Sequence, residues 1–105
     1  READGLAMSS RNMYLTDDQR KAACSLHWAL TESKKRVKAG ETRADTIIAS
    51  AEALIQAHPE TRIAYIGVCD PSTLDAVTAI DGPVLMALAV KVGRARLIDN
   101  MLLTP

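Results

Sequence analysis

The feature that most limits what this chain can become lies near its end. Val84 to Val92 is an apolar run too long to be a surface strand, and after Gly93-Arg94 a further run extends from Arg96 to Leu103. Two β-compatible runs joined by a glycine-led dipeptide predict a hairpin, with Gly82-Pro83 marking its approach. A partner strand precedes it. Ile63 to Cys69 is rich in β-forming residues and is stopped by the turn signal Asp70-Pro71, after which Ser72 to Leu74 suit a single helical turn.

The earlier half carries helix signals. Thr16 with Gln19 three residues on forms a capping box, so a helix is expected from Asp17, and Ala23, Leu26, Leu30, Ser33 and Val37 line one face of it up to the stop at Gly40. Asp17 and Asp18 at its start and Lys34, Lys35, Arg36 and Lys38 near its end suit the helix dipole, so the basic run reads as a solvated face. Thr42 with Asp45 reads as a second cap. It introduces Ala44, Ile47, Ile48, Ala51, Leu54 and Ile55 at helical spacing, and His58-Pro59 closes the run. The two helices are expected to pair across the short Gly40-Glu41 connection. The expected fold is therefore α+β: two amphipathic helices packed on one face of a small, mostly antiparallel three-stranded sheet, with the opposite face left for a partner surface.

Length and composition narrow the function classes. A chain of 105 residues has room for one small core. Lys plus Arg and Asp plus Glu both number 13, so the balance gives no broad reason to bind nucleic acid or an anionic membrane, and any anion site must be local. Cys24 and Cys69 are far apart, with neither a CxxC nor a histidine pair at zinc spacing, so they read as buried thiols and no metal ligands are assigned. His27 and His58 read as structural, and Met86, Met101 and Leu103 as core or interface filler. No run is long and apolar enough to span a membrane, and no signal-peptide pattern opens the chain, so a cytoplasmic location is expected. The chain begins with Arg1 inside a motif and is expected to be a piece of a longer protein.

That motif is Arg1 to Leu15, READGLAMSSRNMYL. Gly5 permits a sharp turn, and Ser9, Ser10 and Arg11 bring two hydroxyls and a charged planar fork together within three residues. Read from these residues alone, the segment fits either an N-capped helix start or a site for phosphate.

As a whole string it closely resembles the segment that opens the C-terminal domain of the pantothenate synthetase (pantoate:beta-alanine ligase) family. Tyr65-Ile66-Gly67-Val68-Cys69-Asp70-Pro71 resembles a second family segment, and Arg96-Leu97-Ile98-Asp99-Asn100 a third, in the family's order. Gly67 and Cys69 depart from its usual residues. The resemblance implies that Met-Ser-Ser-Arg is the counterpart of the Lys-Met-Ser-Lys-Ser loop of related nucleotidyltransferases. Met8 would then lie on the adenine side of ATP, and Ser9, Ser10 and Arg11 on its phosphates. It further implies an ATP- and Mg2+-dependent ligase that joins pantoate to beta-alanine through a pantoyl adenylate, with the catalytic residues in an N-terminal Rossmann-like domain absent here, and a homodimeric full-length protein. The chain alone is expected to be inactive. Two other readings remain: a non-catalytic α+β interaction or dimerisation domain, and the lid domain of another adenylate-forming nucleotidyltransferase.

Overall fold

The computed structural model describes residues 1–105. A short 3-10 helix, η1 (Ser10–Tyr14), leads into α1 (Asp17–Lys38) and α2 (Ala44–Gln56). Three strands follow: β1 (Thr61–Cys69), β2 (Val84–Val92) and β3 (Ala95–Leu103). The sheet has the order β1-β2-β3 and is antiparallel throughout, so the expected α+β class and the three strands are observed.

Alternation along β2 and β3 sets the two faces. Val84, Met86, Leu88, Val90 and Val92 of β2, with Ala95, Leu97 and Leu103 of β3, are buried beneath the helices. On the other face Tyr65, Ile98 and Leu102 are exposed. The register between β1 and β2 shifts between Ile63 and Tyr65, a bulge that keeps Ile66 and Val68 on the core side opposite Leu88 and Met86. α1 lies over β3 and β2, α2 lies over β1, and the helices pack against each other. α1 presents Ala22, Ala23, Ser25, Ala29 and Ser33 to the interior. The two buried serines return their hydroxyls to the helix backbone, Ser25 to the Ala22 carbonyl and Ser33 to that of Ala29, so neither leaves an unmet donor in the core.

The first capping box forms as expected: the Gln19 N–H donates to Thr16 Oγ1 at 3.2 Å, and the Thr16 N–H donates to Gln19 Oε1 at 3.1 Å. Gly40 takes φ 110 where α1 stops. The second cap does not form. Arg43, not Thr42, is the N-cap residue of α2, and no side chain caps it. The cause is the long β1–β2 connection, which folds back over the start of α2. The Ala44 N–H donates to the Thr78 carbonyl at 3.1 Å, and the Thr42 carbonyl accepts from the Ile80 N–H at 2.7 Å. Backbone from a distant segment has taken the role expected of Thr42, and Asp45 instead pairs with Arg43 at 2.8 Å. β1 also begins at Thr61, two residues ahead of the expected Ile63. The Thr61 hydroxyl donates to the carbonyls of Ile55 and His58, joining the strand to the end of α2.

Gly67 has a local explanation. A Cβ there would stand 2.1 Å from Tyr65 Oη, so the glycine makes room for the tyrosine ring two residues back on the same face. Cys69 and Cys24 are both free and buried. Burial, followed by the neighbouring Asp4, pushes the Cys24 thiol up to about 11, which keeps it protonated and unreactive.

Candidate functional site

The loop before η1 is built as a rigid platform. Glu2 and Leu6 close a turn, with the Glu2 N–H donating to the Leu6 carbonyl at 2.8 Å and the Gly5 N–H donating back to the Glu2 carbonyl at 3.0 Å. Gly5 sits at φ 90, and a Cβ on it would overlap the His27 ring at 2.3 Å; position 5 needs glycine both for its dihedral and for this close approach. His27 thus packs under the turn, while His58 lies 6.1 Å from the Trp28 ring, centroid to centroid.

Three side chains fasten the platform to the rest of the fold. Arg20 of α1 reaches Glu2 at 2.6 Å and Asp4 at 2.8 Å. Arg1 makes a bidentate pair with Asp99 of β3, at 2.6 and 2.9 Å, and donates to the Gly5 carbonyl. Asn12, only 7% exposed, donates through Nδ2 to Glu2 and to the Ala7 carbonyl. The Arg20 guanidinium holds the Asp4 carboxyl down at about 2, and with Asn12 it also lowers Glu2. Arg20 itself is raised by these two acids. The first and last of the sequence segments singled out above therefore meet in space, through Arg1 and Asp99.

On this platform Met8, Ser9, Ser10 and Arg11 point to solvent. Met8 is 72% exposed, and Ser9, Ser10 and Arg11 are exposed as well. Ser9 is the N-cap of η1, its Oγ accepting from the Arg11 N–H at 3.1 Å, which leaves its O–H free to donate. The capped-helix and anion readings are thus compatible. The Arg11 guanidinium has no carboxylate partner, in contrast with Arg1, Arg20, Arg36 and Arg43, each of which is in an ion pair. A cleft of about 210 Å³ opens beside the loop, lined in part by Met8, Ser9, Arg11 and Arg96.

The basic run at Lys34–Lys38 does not line the cleft beside this loop. It occupies the far end of α1, a helix of 22 residues and so about 33 Å long. Its lysines are exposed, and Arg36 pairs with Glu32. No group of three or more His, Cys, Asp or Glu side chains is placed to hold a metal ion, and the acids of the loop, Glu2 and Asp4, are committed to Arg20.

Residues 1–102 match the model of the family described as pantoate-beta-alanine ligase. The chain belongs to that family. Over its full length it is 54% identical to a pantothenate synthetase of Desulforapulum autotrophicum, of which it covers 37%. A pantothenate synthetase of Moorella thermoacetica is 53% identical over 98% of the chain and 36% of that relative. The crystal structure of pantothenate synthetase from Thermus thermophilus superposes on the whole chain with a TM-score of 0.91 at 34% identity, the chain covering 38% of that protein. The chain thus spans a little over a third of the length of these family members.

Proposed function

We propose that these residues are the C-terminal, nucleotide-closing domain of an ATP-dependent ligase that condenses pantoate with beta-alanine. In the first step a pantoate carboxylate oxygen attacks the α-phosphorus of ATP, the bond to the β-phosphate breaks and pyrophosphate leaves. The amine of beta-alanine then attacks the acyl carbon of the adenylate, releasing AMP and forming the amide of pantothenate. Negative charge grows on the phosphates during adenylation, and fixed donors aimed at that charge are what lower the barrier. Ser9, Ser10 and Arg11 supply such donors, while Met8 meets the adenine side. Mg2+ accompanies the triphosphate. The nucleophile needs no base from these residues, since pantoate is already a carboxylate. The pantoate pocket and the catalytic histidines belong to the N-terminal domain, through which the cytoplasmic enzyme also dimerises.

The observation that carries this reading is the contrast within one loop. Glu2, Asp4 and Asn12 are tied down by ion pairs and hydrogen bonds, while the adjoining serines and Arg11 are exposed and the Arg11 guanidinium has no carboxylate partner. The backbone that carries these donors is already ordered when the nucleotide arrives, so only their side chains remain to be fixed on binding. In the full-length enzyme, Arg11→Ala is expected to slow adenylation by on the order of 10²-fold, read as pyrophosphate release. An unchanged rate refutes the assignment. These residues alone are expected to fold and to turn over no substrate.

A further inference from the structure

A second cavity, about 580 Å³ in volume, adjoins the loop and is lined by Arg11, Tyr14, Thr16, Gln19, Arg94, Ala95 and Arg96. Its charge is one-sided: three arginines are among the residues that line it, and no acidic residue is. Of the eight arginines in the chain, four are in ion pairs, and three of the remaining four lie here. In a chain with as many acids as bases, three arginines without ion-pair partners around one groove are not explained by a shortage of partners. Asp17 and Asp18, in the adjacent first turn of α1, do not line the groove.

The groove is a built feature. Gly93 takes φ 58 at the first position of the β2–β3 turn, and a Cβ there would stand 2.4 Å from Gln19 Nε2. The glycine therefore lets the hairpin turn close over the Gln19 side chain, which is fixed from the other side by the capping box with Thr16. This contact sets Arg94 and Arg96 beside the start of α1. The groove adjoins the smaller cleft beside Met8 and Ser9, and Arg11 and Arg96 line both.

We infer that this groove seats the terminal diphosphate of the nucleotide, the same group that departs as pyrophosphate, with Arg94 and Arg96 as binding residues alongside Arg11. The inference rests on the proposed ligase reading and deepens it. The Met8 and Ser9 cleft takes the nucleoside and α-phosphate side, and the arginine groove lies beyond Arg11, where the chain of phosphates continues. Guanidinium forks suit this task because each engages two phosphate oxygens at once, and hydroxyls from Tyr14 and Thr16 add neutral donors at the rim.

The test uses the full-length enzyme with Arg94→Ala and Arg96→Ala combined, both exposed positions, and measures product inhibition by pyrophosphate and by AMP. The inhibition constant for pyrophosphate and the KM for ATP are expected to rise on the order of tenfold or more, while inhibition by AMP, which lacks the diphosphate, stays within about twofold. Unchanged pyrophosphate inhibition, or an equal weakening of pyrophosphate and AMP, overturns the inference. Arg94→Glu repeats the measurement with strand β3 untouched and is expected to act in the same direction; no effect on pyrophosphate counts against the groove. Arg11→Ala separates the two levels. If it slows adenylation and the groove variants leave pyrophosphate inhibition unaltered, only the groove assignment fails; if it has no effect, the phosphate role of Arg11 fails, and with it the site reading on which the groove rests.

Discussion

Gly93 shows how one position can serve two elements. It provides the left-handed dihedral that a two-residue hairpin turn needs, and the missing Cβ leaves space for the amide of Gln19, which in turn caps α1. Gly93→Ala strains the backbone and pushes against that amide in a single change. The expected loss is about 1–3 kcal/mol, measured by urea unfolding, and a variant as stable as the parent contradicts the account. Gly67 is the opposite case. Its neighbour is the end of an exposed, movable Tyr65 side chain, so an alanine there displaces a ring that is able to swing away.

The two helix starts behave differently although their sequences look alike. Thr16 caps α1 through its own hydroxyl, so Thr16→Ala is expected to cost about 1 kcal/mol of stability in thermal or denaturant unfolding. Thr42 contributes its backbone carbonyl and no side-chain cap, and Thr42→Ala is expected to stay within about 0.5 kcal/mol. Equal losses at both positions contradict the assignment. The contrast also explains what was legible in the sequence. The α1 cap and the hairpin turn are each contained in a few consecutive residues, so local chemistry identifies them, whereas the Ser9-Ser10-Arg11 cluster fits either a helix cap or a phosphate site and is singled out by the family resemblance of the whole segment. The start of α2 depends on Thr78 and Ile80, more than thirty residues away, and no local pattern announces that contact. Arg94 and Arg96 were hidden for the same reason: they join Arg11 only once β3 lies beside η1.

At the scale of the whole molecule, the loop is held to both layers, to α1 through Arg20 and to the sheet through Arg1 and Asp99. The acids facing Arg20 make the α1 attachment sensitive to pH. Asp4 is lowered from the ordinary 3.8 to about 2, and Glu2 is lowered as well. Because the folded value lies below the unfolded one, the stabilisation from Asp4 is complete above about pH 4 and is lost as pH falls toward 2. The Leu6 amide, which donates to Asp4 Oδ1 at 3.3 Å, is expected to shift across that window in NMR spectra. Asp4→Asn is expected to flatten the acid limb of a plot of stability against pH, and an unchanged limb argues against the clamp.

The pairing of Arg1 with Asp99 spans 98 positions, whereas every strand in the sheet pairs with its neighbour in sequence. Contacts between nearby segments cost less entropy to close, so helices and hairpins have an early advantage during assembly, and a bond between segments this far apart is expected to follow them. The segment that carries Arg11 is thereby expected to settle after the sheet, and the phosphate contacts proposed for it would depend on that late closure.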